Sequence, residues 1–151
     1  MPPLLNLADE AAYRGHFERS CCGGNIATHD GVRVYFRRQD FDHAFFESSG
    51  RRGENDVFSL VRAQRMDWIV AALADPAAAC FQGWDRKNKR YDARRRVAVV
   101  MQDFVVVISL SMRRDGSLKA NFVTCYRAEN SIGKIRQSPR WTLRDFHNEF
   151  R

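Results

Sequence analysis

Hydrophobic residues recur with a helical spacing over much of the first half of this chain and with a strand spacing after about residue 77. ADEAAYRGHFER carries a short helical signal that stops at the turn Cys21-Cys22-Gly23-Gly24. Residues 1–30 therefore read as an N-terminal extension with helical character, ahead of a single domain over 31–151. VRVYF (32–36) alternates and predicts a strand. Residues 39–48 predict a short helix, with Asp40 as N-cap and Phe41, Ala44 and Phe45 as its apolar stripe. SSGRRGEND (48–56) is a polar loop. Residues 59–74 predict one longer helix that buries Val61, Trp68, Ile69, Ala72 and Leu73 and ends at Asp75-Pro76.

From residue 78 the period is two. Segments 78–84, 89–91, 96–101, 104–110 and 118–126 are strand candidates, and VAVVMQDFVVVISL, apolar on both faces, marks the middle of a sheet. The pattern predicts an α+β domain: N-terminal helices packed on one face of a four- to five-stranded antiparallel sheet. The other face of such a sheet can meet a ligand.

Composition adds a bias in partners. The chain of 151 residues has 25 Lys plus Arg against 18 Asp plus Glu, a net charge of +7. That excess favours a polyanion, nucleic acid above all, although a basic protein without such a partner has the same balance. No stretch is long and apolar enough to span a membrane and no signal peptide is visible, so a cytoplasmic location is expected, with delivery into another cell left open. The cysteines do not form a disulfide framework, which also suits a reducing compartment. His16, Cys21, Cys22 and His29 lie close in sequence, but adjacent cysteines cannot easily share one tetrahedral ion, so no metal site is expected. There is no P-loop, dinucleotide fingerprint, His-Glu-x-x-His motif or nucleophile elbow, and no cofactor is expected.

Several side chains could carry chemistry. His43, in FDHAFFES, is the usual type of proton-transfer group near neutral pH, and equally the type that packs at a core's edge. Arg62 and Arg65, one turn apart, could share an anion or form a solvated basic face. Thr124 and Tyr126 alternate with Phe122, which places all three on one side of a regular strand. Their hydroxyls could donate to a phosphate, or simply line an exposed face. Lys134, Arg136 and Arg140 follow, before Trp141. Lys87, Lys89 and Arg90, with Arg94, Arg95 and Arg96, interleave with Trp84 and Tyr91, a pattern that suits single-stranded RNA and also a charged hairpin guarding a sheet edge.

Three stretches, DFDHAFF, RAQRMDWIVAALADP and KANFVTCYRAENSIGKIRQSPRW, in this order and spacing, resemble the phage-associated branch of the BECR (barnase, EndoU, colicin and RelE-like) nucleases. The resemblance covers roughly residues 32–141. It implies helices followed by a four-stranded antiparallel sheet, and metal-independent endoribonuclease activity through attack of the ribose 2′-hydroxyl. Such a protein would be a toxin or a phage-borne effector acting on RNA, with an antitoxin or immunity protein as a further partner. By the same resemblance His43 would be base or acid, and Arg62 and Arg65 would stabilise phosphate charge. Thr124 and Tyr126 would orient the phosphate or share proton transfer, and Lys119, Lys134 and Arg136 would bind substrate. A non-catalytic RNA-binding module and a protein-interaction domain that antagonises a host factor are the alternatives on the same fold.

Overall fold

The computed structural model describes residues 1–50 and 55–143, with the backbone alone at 55 and 93–96. Helix α1 (Glu10–Phe17) starts at Asp9, whose carboxylate accepts from the Ala12 amide at 2.8 Å. That bond satisfies one of the amides a helix start leaves without a partner. The helix runs into a π-helical turn, Glu18–Cys22. Tyr13, Phe17 and Cys21 are almost wholly buried, so the stretch predicted as an extension supplies part of the core. The chain before α1 is tied down too, since the Trp68 indole donates to the Pro2 carbonyl at 2.8 Å.

Strand β1 (Arg33–Tyr35) leads into α2 (Asp40–Ala44). Phe41, Ala44 and Phe45 are buried, as their spacing predicts. Asp40 is not the N-cap. Its buried carboxylate accepts from the Arg37 amide at 2.9 Å and the Arg37 guanidinium at 3.2 Å, closing the turn that enters the helix. The predicted helix over 39–48 ends early because β2 (Phe46–Ser48) pairs with β3 (Asn55–Phe58), bringing the Phe46 and Phe58 rings within 5.7 Å. Residues 51–54 of the predicted loop lie outside the described residues.

The predicted helix over 59–74 is two helices, α3 (Leu60–Gln64) and α4 (Met66–Ala74). Arg65 interrupts them, where backbone bonds from Arg65 to Arg62 and from Trp68 to Arg65 tighten the turn. Val61 is exposed, and Ala63, Met66, Ile69, Ala72 and Leu73 face inward.

Strands β4 (Ala79–Asp85), β5 (Arg90–Met101), β6 (Phe104–Met112) and β7 (Leu118–Arg127) form consecutive antiparallel pairs, and α5 (Ile132–Arg136) follows. The predicted strands at 89–91 and 96–101 are one strand, with residues 93–96 left over between the pairs Gly83–Asp92 and Gln82–Val97. The sheet order is β1-β7-β6-β5-β4, and β1 runs parallel to β7. The sheet is thus five-stranded and mixed, not wholly antiparallel. A parallel neighbour needs a long crossover, and here everything from α2 to β6 supplies it.

The main core lies between the sheet and the helices, where Val34, Val97, Phe104, Val106, Ile108 and Phe122 meet Phe17, Phe41, Phe45 and Ile69. On the opposite face, Ile132 and Ile135 of α5 cover a smaller cluster of Phe81, Val100, Val105 and Val107. Among the described residues, no helix is long and apolar enough to cross a membrane.

Candidate functional site

Regular alternation would keep Thr124 and Tyr126 on the same side as Phe122, but β7 is not regular. Phe122 pairs with Ile108 and Thr124 pairs with Val107, so Val123 is an extra residue on the β7 side. A bulge of this kind reverses the facing of everything after it. Phe122 and Cys125 point into the main core, whereas Thr124 and Tyr126 emerge on the opposite face, paired with Val107 and Val105.

There they line a cleft of about 610 Å³ with Lys134 from α5 and with Trp84, Arg86 and Tyr91 from the β4–β5 hairpin. Its floor is apolar, from Phe81, Ala98 and Val107. The hairpin turn is fixed by Asp85, whose carboxylate accepts from the amides of Lys87 and Asn88 at 3.0 and 3.3 Å. Lys134 is exposed at the rim.

His43 lines an adjoining hollow of about 620 Å³ with Arg37, Asp40, Ser109, Asn121 and Val123. The two hollows share no lining residue, but strand neighbours line them, Ser109 and Val123 in one and Val107 and Thr124 in the other. His43 is exposed and not sealed in the core. Lys119 pairs with Ser111 at the far end of the same strand and shares Asn121's side of it by alternation. Thr124, Tyr126 and Lys134 are therefore brought together, with His43 in the next hollow and Lys119 beyond.

Arg62 and Arg65 are not part of this face. Arg62 donates to the carbonyls of Ala44 at 3.1 Å and Phe46 at 3.4 Å, and its Nε lies 3.3 Å from the Glu47 carboxylate. It is close enough to Cys125, on the helix side, for its charge to favour the thiolate there, although burial outweighs it. Arg65 donates to the Val61 carbonyl at 2.8 Å and lies over the Trp68 ring at 5.2 Å. The sheet stands between both guanidinium groups and the hydroxyl pair, and the break at Arg65 removes the shared helical face that their spacing predicts. Arg136 is also elsewhere, donating to the Gln102 carbonyl at 3.1 Å at the β5–β6 turn. The side chains of Arg94, Arg95 and Arg96 lie outside the described residues.

The residues missed from sequence are Arg37, Arg86, Ser109 and Asn121. Asn121 and Ser109 had a readable signal: they are the polar positions between core residues on the two longest-paired strands. Ser20, His16 and Asp67 have the composition of a catalytic triad without its wiring. The Asp67 carboxylate (2.7 Å) and the Ser20 hydroxyl (3.3 Å) both meet Nε2 of His16, whereas a relay needs one partner on each ring nitrogen. Among the described residues, no three His, Cys, Asp or Glu side chains group closely enough to hold a metal ion. Burial pushes the Cys21 and Cys125 thiols up to about 12, which keeps both protonated. Another cavity, of about 270 Å³, lies against the helix side of the sheet near His29 and Trp141 and holds none of the predicted site residues.

Comparison of the chain with family models, with curated proteins and with solved structures finds no match.

Proposed function

We propose that the open sheet face binds RNA and cleaves it by internal transesterification without a metal ion, on a domain of the phage-associated BECR nuclease type. The observation that carries this reading is the bulge at Val123. It sets two hydroxyls in the same cleft as Lys134 of α5, on the face opposite α1–α4.

In this reaction the ribose 2′-oxygen attacks phosphorus and the bond to the 5′-oxygen breaks. One group must take the 2′-proton and another must return a proton to the 5′-oxygen. His43 serves one of these roles, and Tyr126 and Thr124 hold the phosphate through their hydroxyls. Lys134 and Arg86 balance the charge that grows on the non-bridging oxygens, the task that Arg62 and Arg65 cannot reach. The products are a 2′,3′-cyclic phosphate and a 5′-hydroxyl.

The test is incubation with total RNA in EDTA, followed by mapping of product ends. Cyclic phosphate ends are expected, and they should vanish in His43→Ala while its circular dichroism stays unchanged. Cleavage that needs a divalent ion, or that survives His43→Ala, overturns the reading.

One observation favours a second reading, a non-catalytic RNA-binding module. Two of the five side chains expected to carry catalysis are engaged behind the sheet. A binder would show salt-sensitive RNA affinity and no product, because phosphate contacts dominate such affinity.

A further inference from the structure

We propose that the tip of the β4–β5 hairpin is a base-stacking platform that makes the cleft selective for single-stranded RNA. The inference rests on RNA as the partner, and it adds the strandedness of that RNA and the residues that sense it.

Trp84 and Tyr91 pair across the hairpin and are 48% and 39% exposed. The two rings touch, so together they present one contiguous apolar patch on the surface, the kind of feature that marks a binding site. Their centroids are 5.0 Å apart with the planes at 72°, so the two rings form a corner and not a closed stack. A flat heterocycle fits such a corner by lying on one ring with its edge against the other. Both rings line the same cleft as Thr124, Tyr126 and Lys134, and Arg86 beside them supplies a cation for the backbone of the same nucleotide.

Among the described residues of this sheet Tyr35 is also exposed, but it does not offer the same surface. Guanidinium groups of Arg33 and Arg113 lie 5.0 and 5.8 Å from its ring, and Arg113 donates to its hydroxyl at 2.7 Å. Bases within a duplex are already stacked on their neighbours and present only their edges. A ring corner can therefore engage the face of a base only in an unpaired strand, and that is the source of the selectivity.

A cross-strand aromatic pair also steadies a hairpin, so the experiment must separate recognition from folding. Fluorescence anisotropy would follow a labelled 2′-O-methyl oligonucleotide, single-stranded or as a duplex of the same sequence, neither of which can undergo the transesterification. Trp84→Ala and Trp84→Leu, the second keeping apolar bulk without a π face, should each weaken single-strand binding by about tenfold, the size of one lost stacking contact. Trp84→Phe should restore most of it, and duplex binding, weaker from the start, should not change in any variant. Equal affinity of the wild type for both forms, wild-type affinity in Trp84→Leu, or no oligonucleotide binding at all would overturn the platform. The catalytic reading fails separately. Trp84-dependent binding with unmodified RNA left uncut upholds the platform alone, and cleavage in EDTA with Trp84-insensitive binding sinks the platform alone.

Discussion

Phe122 and Thr124 sit close together on β7 and yet face opposite sides of the sheet, because Val123 is inserted against the pairs they make with Ile108 and Val107. The core and the cleft are made by one strand, and the insertion decides which side chains go to which.

That relationship has an unusual consequence for deletions. Removing Val123 leaves Phe122 facing the core, Thr124 and Tyr126 facing the cleft and Cys125 in the core, because the extra residue alone is lost. The variant is expected to fold, losing about 1–2 kcal/mol for the packing of one half-buried valine. Removing Asn121, in the regular part of the strand, has the opposite outcome. It drives Lys119 toward the core position of Ala120, and cooperative thermal melting should be lost. Denaturation followed by circular dichroism compares the two, and equal behaviour would contradict the bulge.

Arg62 holds the end of α2 to β2 through two carbonyls and sits by Glu47. Arg62→Ala should cost about 2 kcal/mol of stability, since a charged donor is withdrawn from partly buried acceptors. RNA binding and cleavage by the folded fraction should remain within a factor of about two or three, well under the 100-fold or more that removal of a proton-transfer group costs. Urea midpoints and activity measured below the transition separate the two roles.

Lys134 is expected to contribute to ground-state affinity as well as to balancing the charge that grows on the phosphate during cleavage. Lys134→Ala should weaken binding to every RNA sequence alike and reduce the slope of log affinity against log salt by about 0.7, the share of one phosphate on a single strand. Titrations at several salt concentrations read this directly. An unchanged slope would remove Lys134 from the interface.

The buried thiols set a pH limit on stability. Cys21 and Cys125 are raised from 9.0 to about 12 in the folded protein, with burial the largest cause. Between those values the native state keeps protons that the unfolded chain releases, so stability falls as pH rises. It should be unaffected by these groups near neutrality and decline above about pH 9, by at most about 1.4 kcal/mol per pH unit for each thiol. The double variant Cys21→Ala, Cys125→Ala should show a flatter decline in melting temperature from pH 8 to 10, from a lower starting stability.

Much of this was legible in the residues. Phe41, Ala44 and Phe45 form the core stripe that their spacing predicts, and the runs after residue 78 form the sheet. What escaped was set by partners distant in sequence. The segment 122–126 reads as an ordinary strand, and only its pairing with β6 reveals that one residue is surplus. Phe46 falls inside the helix predicted over 39–48, but its cross-strand contact with Phe58 pulls it into a hairpin. Arg62 and Arg65 carry charges that any anion could use, and nothing local announces that nearby backbone carbonyls claim them first. Thr124, Tyr126 and Lys134 were singled out through residue type, yet the side of the sheet that they occupy came from the fold alone.

The parallel docking of β1 on β7 also orders events at the ribosome. The early helices and β1 must wait, without their main partner surface, until β7 has emerged, since non-local contacts form only after long stretches of chain have been closed into loops. β7 also bears the cleft hydroxyls. A message cut short before that strand would yield a polypeptide with neither a closed sheet nor the cleft, so the face proposed to bind RNA is completed only after β7 has been made.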